Sequence, residues 1–235
     1  MTSLTPVTIA YFSDILCVWA YAAQKRLDEL RNQFGSQIKI HCHYIPVFGS
    51  TQTRIGEGWK GKGGFEAYGR HVRDVTKRFD HIDIHPDIWR RNVPPSSAGC
   101  HLFLKSIQLF EEKGGVTYGH QENREGRSLV EEAAWQMRLA FFRDMEDIAQ
   151  LDVQRRIVER LCLPLMAIMR QIENGEAYAA WCLDLEQKEK YKIEGSPTFV
   201  LNDGRQKLYG NVGYRIIEVN VQELIAGAGD RASWC

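Results

Sequence analysis

The chain has 235 residues, and its 30 Lys and Arg match 30 Asp and Glu for a formal net charge of zero. An even charge balance leaves no electrostatic footprint for nucleic acid or for an anionic membrane. No apolar run nears the roughly 20 residues of a membrane span, Leu161 to Met169 being too short, and Met1-Thr2-Ser3-Leu4-Thr5-Pro6 has neither the basic nor the apolar region of a secretory signal, so the expected compartment is the cytoplasm.

The first element is a short buried strand, read from Val7, Ile9, Tyr11 and Phe12. A turn then leads into a helix from about Cys17 to Phe34, closed by Gly35. Cys17 thus falls where strand gives way to helix. Unpaired amides and the helix dipole stabilise a thiolate there, which predicts a thiol value below the ordinary ~8.5. A buried, inert cysteine fits this window equally well. In Ile38 to Ile45, alternation sets Cys42 with Ile38, Ile40 and Tyr44 on the core side of a second strand.

Gly56-Glu57-Gly58-Trp59-Lys60-Gly61-Lys62-Gly63-Gly64 nearly spells a phosphate loop, but Gly63 stands where a hydroxyl should bind magnesium. The better reading is a loop beside the site, a candidate lid or selectivity element, with His71 and Trp59 as candidate pocket residues. His81, Asp83 and His85 share one face of an extended segment, yet three donors without a fourth or a supporting shell make a weak metal site, so no metal is expected.

Pro94-Pro95-Ser96-Ser97 signals a helix entry with Ser96 or Ser97 as cap. Helices are predicted over His101–Glu112, Leu129–Phe142, Val153–Arg160, Leu165–Glu173 and Glu176–Tyr191. Phe199 to Leu201 read as a buried strand with Pro197 at its start. The turn Asn202-Asp203-Gly204-Arg205 joins it to an antiparallel partner at Lys207 to Gly210. A last helix carries Ile216, Ile217, Val219, Val221, Leu224 and Ile225.

The six cysteines, Cys17, Cys42, Cys100, Cys162, Cys182 and Cys235, are scattered without zinc or disulfide spacing. Cys42, Cys100, Cys162 and Cys182 are expected in the core, and Cys235 in a surface tail.

Taken together, Ser13-Asp14-Ile15-Leu16-Cys17-Val18-Trp19-Ala20-Tyr21 and Gly195-Ser196-Pro197-Thr198-Phe199 resemble the two active-site loops of the DsbA-like branch of the thioredoxin fold. Leu208-Tyr209-Gly210-Asn211 leading into Tyr214-Arg215-Ile216-Ile217 fits the same pattern, as does Ala140 to Ile148 for the helical insert. That branch includes FrnE-type oxidoreductases, 2-hydroxychromene-2-carboxylate isomerases and kappa-class glutathione transferases. The resemblance implies an α/β thioredoxin fold, a small mixed sheet flanked by helices and interrupted by a large helical insertion. The expected halves are residues 1–49 and 191–235, with the insertion at 50–190.

It also implies roles. Cys17 is the nucleophile or sulfur-holding group, and Ser196 offers its backbone to a bound cysteinyl or glutathionyl chain across a cis bond to Pro197. Trp19 and Phe12 shape an apolar wall, with core packing the stronger account of Phe12. Asp14 orients or caps the active-site turn. Asn92 resembles a substrate-pocket asparagine of the isomerases and transferases.

One departure governs the chemistry. Dithiol members carry Cys-x-x-Cys, whereas here Ala20 stands at the second position. No thiol in the motif can release a mixed disulfide, so an outside thiol must, and glutathione is the expected cosubstrate, with no tightly bound cofactor. The leading expectation is a monothiol thiol–disulfide oxidoreductase. The alternatives are a glutathione-dependent isomerase or transferase and a non-catalytic binding protein; a homodimer is compatible with any of these.

Overall fold

A computed structural model of the chain describes residues 5–115 and 126–227. Alternation builds its sheet. In β1 (Val7–Ser13), Val7, Ile9 and Tyr11 turn to the main core, while Phe12 joins Ile45, Ile193 and Val200 in a small core on the other face. β2 (Ile38–Tyr44) pairs parallel to β1 from Val7 opposite Ile38 to Ser13 opposite Tyr44. Parallel neighbours need a crossover, and α1 (Val18–Phe34) supplies it. Its stop is Gly35 at φ 49, a left-handed value that glycine adopts freely, with the Gly35 amide donating to the Arg31 carbonyl.

β3 (Thr198–Leu201) runs antiparallel to β1, setting Phe199 opposite Tyr11, and β4 (Gln206–Tyr209) runs antiparallel to β3. Asn202, Asp203 and Gly204 all take positive φ in the connecting turn, the conformation that a tight hairpin requires. The strand order is β2-β1-β3-β4, so the central strand β1 joins the two ends of the chain. α8 (Tyr214–Ala226) returns over the sheet and buries Ile217 and Val221. This is the mixed, helix-flanked thioredoxin-like sheet that the two loop motifs imply.

Between β2 and β3 lie α2 (Gly64–Thr76), α3 (Ala98–Glu112), α4 (Leu129–Arg138), α5 (Leu151–Arg160), α6 (Leu165–Glu173) and α7 (Glu176–Lys190). α4 opens on a reciprocal cap: Ser128 Oγ accepts from the Glu131 amide, and the Glu131 carboxylate accepts from the Ser128 amide. It runs on through a π-helical turn at Leu139–Arg143. Buried ion pairs fasten it to α1, with Arg127 bridging Asp28 at 2.7 Å and Glu132 at 3.0 Å.

Several local expectations need correction. α2 was not expected, since the glycine-rich approach obscures its helical pattern; Gly69 within it passes so close to α2's neighbour that a Cβ would lie 2.3 Å from the Ile88 carbonyl oxygen. Residues 81–85 form no strand. His81 Nε2 lies 3.0 Å from the Ala22 carbonyl, and His85 Nδ1 accepts from the Asp87 amide. Among the described residues, no group of three or more His, Cys, Asp or Glu side chains is placed to hold a metal. Cys42 and Cys100 are buried as expected, but Cys162 and Cys182 are exposed. Cys162 sits in the turn after α5 at φ 53, and Cys182 lies on the outer face of α7. Cys235 lies outside the described residues. No described helix is long and apolar enough to cross a membrane.

Candidate active site

Cys17 caps the head of α1. The strand ends at Ser13, and the turn Asp14-Ile15-Leu16 brings the chain round, with the Cys17 amide donating to the Asp14 carbonyl at 3.1 Å. Cys17 is extended at φ −82 and ψ 115, so its own carbonyl accepts from the Tyr21 amide while its side chain stays outside the helix.

The turn is held by Asp14, which is fully buried. One carboxylate oxygen accepts from the Leu16 amide at 2.9 Å. The other accepts from the Phe48 amide at 2.7 Å and from the Ser97 hydroxyl at 2.8 Å. Asp14 therefore does more than cap: it ties the Cys17 turn to the exit of β2 and to the start of α3. Ser97 occupies the cap position of α3, but its hydroxyl is committed to Asp14, and Ser96 Oγ accepts from the Ala98 amide instead. Beside them, the Ile15 amide donates to His101 Nε2 at 3.2 Å.

The loop before β3 closes on the same point. The bond between Ser196 and Pro197 is cis. The Ser196 hydroxyl accepts from the Asp14 amide at 2.9 Å, and its carbonyl oxygen accepts from the Cys17 thiol at 3.2 Å. Proline has no N–H to compete at this position. Gly195 lies so near Tyr209 that a Cβ would be 2.7 Å from the phenol oxygen.

Cys17 and Ser196 open into a cleft of about 440 Å³. Val18 and Trp19 extend it along α1, and Val47 and Phe48 along the exit of β2. The π-helical turn Gln52–Glu57 supplies Arg54, the link from it to the 3-10 turn Lys60–Lys62 supplies Gly58 and Trp59, and α2 supplies Tyr68 and His71. Tyr209 of β4, three-fifths exposed, stands at the mouth. Trp59 packs edge-on to Tyr68 at 5.0 Å and against His71 at 5.2 Å. The cleft is thus largely aromatic, with one guanidinium.

The structure therefore brings Cys17, Trp19, Ser196 and the Pro197 loop together, with Asp14 behind them. Asn92 is not among the residues lining the cleft: its side-chain amide donates to the Met145 carbonyl at 2.8 Å, and its left-handed φ of 52 marks a turn residue. Phe12 belongs to the small core on the far face, stacked on His43 at 4.7 Å. Sequence reasoning missed Arg54, Tyr68 and Tyr209; for Tyr68, the spacing of Phe65, Tyr68 and Val72 was the available signal.

Ala20, fully buried one turn into α1, leaves the motif with a single thiol. Cys42 and Cys100 are committed elsewhere, to Glu131 and to the Ile148 carbonyl. The expected low thiol value is corrected as well. Burial pushes the Cys17 thiol up and outweighs the help to the anion from Ser196 and from the Ala20 and Trp19 amides, while the Asp14 charge pushes the same way as burial. At rest, Cys17 is a thiol.

A sequence profile of the DSBA-like thioredoxin domain matches residues 8–221. No curated protein matches the chain by sequence. Among solved structures, a candidate protein disulfide isomerase from Nitrosomonas europaea superposes at a TM-score of 0.67 and 15% identity, covering 97% of this chain and 100% of the other. The cytosolic disulfide reductase DsbM from Pseudomonas aeruginosa, solved with glutathione, gives 0.62 and 17%, covering 92% and 99%. A 2-hydroxychromene-2-carboxylate isomerase gives 0.64 and 14%, covering 95% and 98%. At such identities, the likeness is one of fold.

Proposed function

The chain belongs to the DsbA-like thioredoxin family, and from that premise we propose that it is a monothiol thiol–disulfide oxidoreductase in which Cys17 exchanges with a disulfide and glutathione releases it. The observation that carries the proposal is the Cys17 sulfur at the head of α1, 3.2 Å from the Ser196 carbonyl, with Ala20 where a second thiol would stand. Cys17 attacks one sulfur of the substrate disulfide, and the other sulfur leaves as a thiol. The mixed disulfide then persists, because nothing in the motif can attack it. Glutathione attacks next and restores Cys17. Such a cycle belongs in a compartment rich in reduced thiol, and a cytoplasmic site is part of the proposal. The glutathione-bound DsbM neighbour supports the choice of thiol by analogy of fold.

The aromatic walls favour one further reading. Trp19, Trp59, Tyr68 and Tyr209 suit a planar substrate, as a glutathione-dependent isomerase or transferase would bind. Steady-state assays separate the two. The oxidoreductase reading expects reduction of mixed disulfides driven by glutathione, weak insulin reduction driven by thioredoxin reductase, and complete loss of activity in Cys17→Ser. Isomerisation or conjugation of an aromatic electrophile that survives Cys17→Ser, without any disulfide turnover in the native protein, overturns it.

A further inference from the structure

A thiol attacks a disulfide only as its thiolate. Cys17 rests in the opposite state: it is only 5% exposed, and its proton is directed at the Ser196 carbonyl. The proton has to leave during the reaction, and a base within the cleft speeds its departure. Asp14 does not line the cleft, and its oxygens are occupied by the Leu16 and Phe48 amides and the Ser97 hydroxyl. Arg54 carries a guanidinium, which has no lone pair to accept with. Burial pushes the Tyr68 phenol up, so it keeps its own proton.

His71 remains. It is exposed on α2, lines the same cleft as Cys17, and rests against the rings of Trp59 at 5.2 Å and Tyr68 at 6.3 Å. Among the described residues, its imidazole has no hydrogen-bond partner. Histidine is the side chain that exchanges protons near neutral pH. The charged and titratable groups around it are Arg54 and Lys62 of the preceding turns, Lys62 lying over the Trp59 ring at 4.8 Å, together with Tyr68 and Asp74 on α2, Cys17 at the head of α1, and Tyr209 on β4.

We infer that His71 is the proton acceptor and donor for sulfur exchange at Cys17, an inference that rests on Cys17 being the reacting thiol. When a disulfide enters, an imidazole nitrogen takes the Cys17 proton. The Cys17 sulfur bonds to the near sulfur of the disulfide and the old S–S bond breaks. The far sulfur leaves as a thiolate and is protonated from the imidazolium. Cys17 is thereby oxidised to the disulfide level and the departing sulfur is reduced. In the return step, glutathione gives its proton to His71 and attacks the sulfur bonded to Cys17, and Cys17 leaves and is reprotonated. The products are free Cys17 and a glutathione disulfide.

The test follows glutathionylation of Cys17 by oxidised glutathione, and its removal by glutathione, by intact mass across a pH series. His71→Ala removes the base, and His71→Phe removes it while keeping a ring against Trp59; an exposed position leaves the core intact in both. Both variants should be slower at neutral pH by about 100-fold, the usual scale of a single general base. The deficit should shrink in alkali as the thiol ionises unaided, and free imidazole should restore part of the His71→Ala rate. A His71→Phe rate equal to that of the native protein overturns the inference, as does an equal slowing at every pH without rescue by imidazole. If the native protein forms no adduct at Cys17 at any pH, the reading of Cys17 falls and the inference falls with it.

Discussion

The Cys17 thiol donates to the carbonyl oxygen of Ser196, 3.2 Å away and 179 positions further along the chain. This contact joins the head of α1 to the loop before β3 and commits the proton to a protein acceptor. With burial, it gives a resting thiol that needs help to ionise.

The first expectation concerns the pH dependence of that thiol. At neutral pH, the exposed Cys162 and Cys182 should alkylate ahead of Cys17, with Cys42 and Cys100 last. The Cys17 rate should keep climbing beyond the ordinary thiol range. The linked stability has a definite sign: a folded-state value above the unfolded one contributes stability in full below the unfolded value of ~8.5, and that contribution is lost as pH rises through the folded value. The stability difference between the native protein and Cys17→Ser should therefore change in alkali, to the disadvantage of the native protein. Peptide mapping that finds Cys17 labelled first at neutral pH, with a rate that levels off there, would contradict this.

A second expectation concerns Ala20. Residues three apart at a helix start lie within the range a disulfide can span, so Ala20→Cys should form an intramolecular bond with Cys17, seen by intact mass as the loss of two hydrogens. Dithiol reductase activity should rise, because a resolving thiol now sits beside the mixed disulfide. Ala20 is fully buried, so the larger side chain should cost about 1–3 kcal/mol of stability in the reduced form. If no bond forms on oxidation, the local geometry assigned to the motif is wrong.

Asp14 should prove structural before it proves chemical. Asp14→Ala leaves the Leu16 and Phe48 amides and the Ser97 hydroxyl without their acceptor in a fully buried site. The loss should be on the order of 3 kcal/mol or more, measured by denaturant unfolding, since each stranded donor costs about 1–3 kcal/mol. Ser97→Ala removes one donor together with its contact and should cost less. Equal and small effects, under roughly 1 kcal/mol, would remove Asp14 as the tie between the Cys17 turn and α3.

The sequence disclosed the parts of this site that are contiguous. Cys17 and Ser196-Pro197 each sit at a strand boundary marked by a short apolar run, so the two loops and the sheet that joins them were legible. The cleft wall was legible only in part. Trp59 and His71 stand out as candidate pocket residues and do line the cleft, whereas Arg54 and Tyr68 come from a short turn and from α2, whose helical spacing is masked by the glycines of the approach, Gly56, Gly58, Gly61, Gly63 and Gly64. The state of Cys17 was misjudged because a helix N-terminus is visible in sequence, whereas the burial that outweighs it is set by residues far along the chain. Asn92 failed for a related reason: a motif resemblance cannot show that a side chain is already bonded to Met145.

The most direct test of the account is the intact mass of the native protein and of Cys17→Ser after exposure to oxidised glutathione, with the modified peptide identified. A glutathionyl adduct is expected on Cys17, whatever forms on the exposed Cys162 and Cys182; it should persist until glutathione is added, and the corresponding modified peptide should be absent from Cys17→Ser. Adducts confined to Cys162 or Cys182, or a Cys17 that stays unmodified, would contradict the account.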